Sequence, residues 1–192
     1  MTTKYEQISS SLFVKNRKKF TEKMQPKSMA IFNSNDIYPV SSDSTLPFAQ
    51  HRDIFYLSGV DQEESILLIF PDAYKEEHRE ILFLRETNEH IAIWEGEKLT
   101  KEKATEVSGV KSVFWLSDFD RIFYNLMNEA ENIYLNKNEH YRAVLEVQTR
   151  EDRFIERVKK EFPLHEILRS NPILQHLRSV KEPEEIALMQ TA

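Results

Sequence analysis

With 192 residues, 40% of them hydrophobic and 30% charged, the chain has the length and composition of one globular unit rather than a disordered or fibrous one. A formal charge of −6 argues against a dedicated nucleic-acid or acidic-membrane binder, because phosphate neutralisation needs clustered Lys and Arg. No cysteine is present, which excludes disulfides, thiolate nucleophiles and cysteine-based zinc sites, and three glycines leave little room for a phosphate-cradling loop.

Residues 1–11 are polar and lack the apolar core of a secretion signal. The longest apolar runs, such as Ile66–Phe70, fall far short of a bilayer. These features predict a soluble, cytoplasmic protein with no membrane or nucleic-acid partner.

Leu12, Phe13, Asn16, Phe20 and Met24 recur at three-to-four spacing, which predicts an amphipathic helix over Ser9–Met24, stopped by Pro26. Ser28–Phe32 reads as a buried strand, and 33–50, rich in Ser, Asp, Asn and Pro, as a loop. Ile54–Leu57 is an apolar and aromatic run closed by Ser58-Gly59. Ser65–Phe70 and Glu80–Leu84 read as further strands on either side of a charged turn. Ile91, Ile93 and Trp94 predict a strand or strand end, stopped by Glu95-Gly96. Thr100–Ser108 predicts a helix with Gly109 as its stop, followed by a strand over Val110–Leu116. Ser117 is the expected N-cap of a helix whose Phe119, Ile122, Phe123, Leu126 and Met127 share one face. Glu131–Leu135 reads as a strand, Glu139–Glu161 as one long charged helix, Leu164–Leu168 as a short strand, and Pro172–Val180 as a linking helix or strand.

Strands alternating with helices, several strands being continuous apolar runs, predict an α/β fold with a mixed central sheet flanked by helices. At the far end, Pro183 suits a first helical turn, Glu184 and Glu185 suit its dipole, and Ile186 and Met189 begin an apolar stripe. A helix this short is marginal alone, which predicts a further domain continuing from it.

The six histidines, His51, His78, His90, His140, His165 and His176, include no pair at the i, i+4 spacing that puts two imidazoles on one helix face. The adjacent carboxylates Glu63-Glu64, Glu76-Glu77 and Glu184-Glu185 read as solvated faces or helix starts in a chain with 32 acidic residues. No nucleophile elbow, Walker loop or dinucleotide fingerprint is present, so no self-sufficient catalytic site is expected. Trp94 stands apart: it ends an apolar run beside Glu95, Gly96, Glu97 and Lys98, where an indole either caps the core or sits half-exposed at an interface or cleft mouth.

Three segments carry a family resemblance. The first runs from Pro47-Phe48-Ala49-Gln50 through Asp53-Ile54-Phe55-Tyr56-Leu57-Ser58-Gly59 to the apolar run ending at Pro71. The second is Trp94-Glu95-Gly96-Glu97-Lys98, and the third is Leu177-Arg178-Ser179-Val180-Lys181-Glu182-Pro183-Glu184-Glu185-Ile186. In this order they resemble the N-terminal domain of the Xaa-Pro aminopeptidase (aminopeptidase P), prolidase and creatinase family: a loop with a Gln, an aromatic strand closed by Gly, a Trp-x-Gly turn, and the linker into the catalytic domain.

The resemblance implies a ribonuclease H-like α/β domain over 1–176, with 177–192 as linker and first turns of a catalytic "pita-bread" domain. It implies a parent enzyme that removes an N-terminal residue preceding proline from Xaa-Pro peptides, with two divalent metal ions, manganese in many members. Their ligands lie downstream of the linker, so no catalytic or metal-binding residue is expected in this chain. The N-terminal domain in this family shapes the active-site entrance and contributes to homo-oligomer contacts, which makes Trp94 the candidate entrance or oligomer residue. Three other readings compete: the equivalent domain of an Xaa-Pro dipeptidase, an autonomous interaction module without enzyme activity, and a two-metal nuclease using Asp36, Asp72 and Asp118.

Overall fold

The computed structural model describes residues 8–88, 97–143 and 146–191. Among them six strands, β1 (Ser28–Asn33), β2 (Ile66–Ile69), β3 (Glu80–Leu84), β4 (Ser112–Trp115), β5 (Asn132–Leu135) and β6 (Glu166–Arg169), form one sheet in the order β4-β3-β2-β1-β5-β6. The β1–β2 and β2–β3 pairs are antiparallel, whereas β1–β5, β3–β4 and β5–β6 are parallel. The helices are α1 (Ser10–Thr21), α2 (Arg52–Ser58), α3 (Lys101–Ser108), α4 (Phe119–Met127), α5 (Arg150–Glu161), α6 (Asn171–Ser179) and α7 (Pro183–Thr191). Among the described residues no helix is long and apolar enough to cross a membrane.

Successive side chains of a strand point to opposite faces, and here both faces are covered. On one, Met29, Ile31, Leu68, Phe83 and Ile133 meet Phe119, Phe123 and Leu126 of α4 and Phe154 and Val158 of α5. On the other, Ala30, Phe32, Leu67, Leu82 and Leu84 meet Phe20 of α1, Ile54 and Leu57 of α2, Ala104 of α3, and Leu174 and Leu177 of α6. Burial on both faces is why β1 and β2 read as unbroken apolar runs. Each fully buried Leu, Ile or Phe contributes roughly 1.5–3 kcal/mol, so the doubly covered strands dominate the stability.

Two helices end in the same way. Ser58-Gly59-Val60 closes α2 and Ser108-Gly109-Val110 closes α3, with Gly59 at φ 69° and Gly109 at φ 70°. In each the serine hydroxyl donates to the carbonyl four residues back, at 2.7 Å, and accepts the valine N–H, at 3.2 and 3.1 Å. Helix α1 lies across both stops. A Cβ on Gly59 would meet the Phe13 ring at 2.2 Å, and one on Gly109 would meet Val14 Cγ2 at 2.6 Å. Between them Arg17, 0% exposed, donates from Nη1 to Leu57 O (2.8 Å) and Ser108 O (2.9 Å), and from Nε to Glu80 (2.9 Å). One buried guanidinium thus joins both helix ends to the start of β3.

Several expectations are corrected. The predicted helix over Glu139–Glu161 begins at Arg150. Upstream, Asn138 Oδ1 accepts the His140 N–H and His140 Nδ1 accepts the Arg142 N–H, both at 3.2 Å, so side chains take backbone donors that a helix would need. Thr149 and Asp152 then cap each other's N–H groups and fix the start. The aromatic run Ile54–Leu57 is helical, not a strand: Ile54, Leu57 and Ser58 are buried at helical spacing while Phe55 and Tyr56 are half-buried. Ser117 is no N-cap; a 3-10 turn over Leu116–Asp118 leads into α4, and Asp118 pairs with Arg121 at 2.8 Å. The short strand shifts from Leu164–Leu168 to β6 because Pro163 and Leu164 form a turn, the His165 N–H donating to Phe162 O at 3.2 Å. The Pro172–Val180 linker resolves as helix α6. The strand expected at Ile91, Ile93 and Trp94 lies outside the described residues.

Candidate functional site

Strands β1, β5 and β6 run parallel, so their carboxyl ends share one edge, where ligands and functional contacts gather in α/β sheets. Asn33 at the end of β1, Asn136 just after β5 and Ser170 just after β6 are buried polar residues, and they organise the site.

His51 caps α2: its Nδ1 accepts the Asp53 N–H at 3.3 Å. That nitrogen also lies 3.4 Å from Asn136 Nδ2, so two donors face it, and the ring proton is assigned to Nε2. Burial lowers the imidazole's pKa, against the pull of Asp53 and with the help of Arg178. Asp53, in the first turn of α2, accepts from Asn136 Nδ2 at 3.1 Å and from Arg178 Nη1, in the last turn of α6, at 2.8 Å. Ser170 Oγ lies 3.0 Å from Asn136 Oδ1 and 2.9 Å from Leu135 O. The network therefore runs from the start of α2, through the end of β5, to both ends of α6.

Gln50 has a structural role that its motif position did not reveal. Its Nε2 donates to Val60 O (3.0 Å), Gln62 O (2.9 Å) and Ser65 Oγ (3.2 Å), and its Oε1 accepts the His51 N–H (2.8 Å). One amide thus closes the chain before α2 onto the chain after it. The Arg178 guanidinium carbon lies 6.0 Å from the centre of the Tyr56 ring. Burial, with Glu185 nearby, pushes the Tyr56 phenol up to about 12. Beyond α6, Glu182 pairs with Lys15 and Lys19 of α1, and Glu185 accepts the Glu182 N–H at 2.8 Å as α7 begins.

Deeper in, Glu151 accepts the Asn33 N–H at 3.2 Å and Asn33 Nδ2 at 3.0 Å. Burial raises its pKa to about 8, the Asn33 bonds opposing and Asp53 adding. Burial thus favours the neutral acid, and the carboxyl docks α5 on the end of β1.

The structure brings together two of the three motif segments, 47–60 and 177–186: Asp53 bonds Arg178, and Gln50, Arg52 and Tyr56 sit with Arg178, Lys181 and Glu185 around a cleft of about 650 Å³. Trp94, Glu95 and Gly96 of the second segment lie outside the described residues, as does His90. Its trailing residues are tied nearby: Lys98 pairs with Glu63, and the Leu99 N–H donates to Gln62 Oε1 at 2.7 Å. The carboxylates of the nuclease reading are employed separately, Asp36 with Arg153 and the Arg150 N–H, Asp72 with the Lys27 N–H, and Asp118 with Arg121. Asn136, Ser170 and Glu151 were missed by sequence reasoning: the first two directly follow β5 and β6, and Glu151 lies in the first turn of α5.

A family model described as "Aminopeptidase P, N-terminal domain" matches residues 13–134. The Xaa-Pro aminopeptidase of Escherichia coli is 26% identical over 187 residues, spanning 97% of this chain and 42% of that protein. Xaa-Pro aminopeptidase 3 of Homo sapiens is 24% identical over 161 residues, spanning 83% and 31%. The solved low-pH form of Escherichia coli aminopeptidase P superposes with a TM-score of 0.76 at 26% identity, over 97% of this chain and 42% of that one. A Bacillus anthracis structure assigned to aminopeptidase P superposes with a TM-score of 0.85 over 96% and 44%; at 23% identity it bears on the fold alone. The chain thus spans less than half the length of these relatives.

Proposed function

The chain belongs to the aminopeptidase P N-terminal domain family, and from that premise we propose that it is the non-catalytic N-terminal domain of a metal-dependent Xaa-Pro aminopeptidase. In this reading the parent protein hydrolyses the bond before proline in Xaa-Pro peptides, and this domain shapes the approach to the catalytic centre and supplies oligomer contacts. The observation that carries it is the family match over residues 13–134, supported by the Asp53–Arg178 bond, which ties the segment read here as the linker to the sheet edge.

The family implies two divalent metal ions, manganese in many members. The residues described here do not fit such a pair. Among them no group of three or more His, Asp or Glu is placed to hold a metal ion. At the sheet edge both Asp53 oxygens face donors, one of them the cationic Arg178, which would repel a metal. We therefore assign the ions to the rest of the parent protein.

The test compares this chain with the longer protein that contains it, both assayed with manganese on an Xaa-Pro peptide. The longer protein is expected to release the first residue and this chain to release none; cleavage by the chain alone, or none by either, sinks the proposal. For the entrance or oligomer role, Trp94→Ala in the longer protein is expected to weaken peptide selectivity or association with metal content unchanged. Unaltered kinetics together with unaltered sedimentation would remove that role.

A further inference from the structure

A second recess lies on the opposite face of the sheet, where the end of β1 and the start of β2 meet α5. Its volume is about 510 Å³, within the range of small-molecule sites. Its apolar wall is Ile66, Phe119 and Phe154, and its charged rim is Asp36, Glu64, Arg150, Arg153 and Arg157, with Asn35 beside them.

The charges in this rim are unevenly satisfied. Asp36 is used by Arg153 and by the Arg150 N–H. Glu64 pairs with Arg85 at 3.1 Å on its outer side and is 37% exposed. The Arg150 guanidinium has one hydrogen bond among the described residues, from Nη1 to the neutral Ser34 Oγ at 3.1 Å. It lies within electrostatic range of Glu64 and Asp36, yet is ion-paired with neither, and burial lowers its pKa. A half-buried cation that meets only a hydroxyl among the described residues retains most of its capacity to bind a carboxylate, and bidentate pairing is the strongest form available to it.

We propose that this recess binds a small apolar zwitterion, a dipeptide or free amino acid, with its carboxylate on Arg150, its ammonium toward Glu64 and its side chain on Phe119 and Phe154. The pairing answers the charges in the rim: Arg153 is taken by Asp36, and Arg157 by Asp120 and Glu161, so Arg150 is the guanidinium left for a carboxylate, while Glu64 meets Arg85 through Oε2 and keeps Oε1 for an ammonium. A ligand carrying both charges around an apolar body suits both. This site is independent of the aminopeptidase reading, and its test needs no peptide cleavage.

The experiment is a titration of the 15N-labelled chain, followed by NMR. The probes are the dipeptide leucyl-leucine, its N-acetyl form, its C-terminal amide, and sodium acetate at matched ionic strength. Leucyl-leucine is expected to give saturable shifts confined to the backbone around Asn35, Glu64 and Arg150, with each single-charge form at least roughly tenfold weaker. Arg150→Ala is expected to raise Kd roughly tenfold or more. Glu64→Gln, at an exposed position, is expected to erase the advantage of the free dipeptide over its N-acetyl form, and it keeps the test decisive if Arg150→Ala does not fold. The proposal is overturned by no saturable shifts, by shifts mapping elsewhere, by equal binding of the N-acetyl and amide forms, or by an equal response to acetate.

Discussion

Replacing Arg178 with Ala isolates the contact that fastens the linker helix. The bond to Asp53, 2.8 Å long, joins a carboxylate that is 11% exposed to a guanidinium that is 40% exposed. A charge-assisted hydrogen bond is worth about 1.5–3 kcal/mol when shielded, and exposed ion pairs about 0–1. With one partner buried and the other partly solvated, the loss falls near ~1.5 kcal/mol. Asp53 keeps Asn136 as a donor, so it is not stranded without a partner. The loss should be local first. Native-state hydrogen exchange is expected to show faster opening of α6, while β1 and β5 keep their protection. A double-mutant cycle with Asp53→Asn, read by urea unfolding, is expected to give a coupling of about 1 kcal/mol. A coupling near zero together with unchanged exchange in α6 would refute the claim that this pair holds the linker.

Other perturbations probe the helix stops and the buried acid. Gly59→Ala and Gly109→Ala both force a side chain into the left-handed region, costing about 1–2 kcal/mol; Gly59→Ala should be the worse, because its Cβ meets an aromatic ring at 2.2 Å rather than a methyl at 2.6 Å, and equal urea midpoints would contradict this. Arg17→Met leaves the buried Leu57 and Ser108 carbonyls without their donor, and a loss of about 2–4 kcal/mol is expected from chemical unfolding. Glu151 holds its proton up to about pH 8 in the folded state against an ordinary value of 4.5. The folded chain therefore binds more protons than the unfolded one between these values, and stability falls as pH rises through that window. Glu151→Gln should remove that part of the slope, so the stability of the wild type relative to the variant declines from pH 5 to 8; parallel curves would count against a protonated Glu151.

The strands were legible because β1, β2, β3 and β5 are short apolar runs bounded by polar or turn-forming residues, and double burial leaves no periodicity to misread. The non-helical state of Asn138–Arg142 was not, since charge and length suggested one continuous helix while competition from Asn138 and His140 side chains for backbone donors is a local tertiary matter. Ile54–Leu57 misled for a related reason: four apolar and aromatic residues are ambiguous between helix and strand, and the His51 cap and Gly59 stop decided it. At the site, the first and third motif segments were visible as residues, but their meeting at Asp53 and Arg178 depends on a separation of 125 positions that only the fold closes. Asn136 and Ser170 carry no pattern of their own and become meaningful only where three parallel strands end side by side.

Arg17 reaches Glu80 at the head of β3 and Ser108 at the tail of α3. The spacing of β3 and α3 is therefore set by α1, from which Arg17 projects. A change that shifts α1 would be felt at both elements at once.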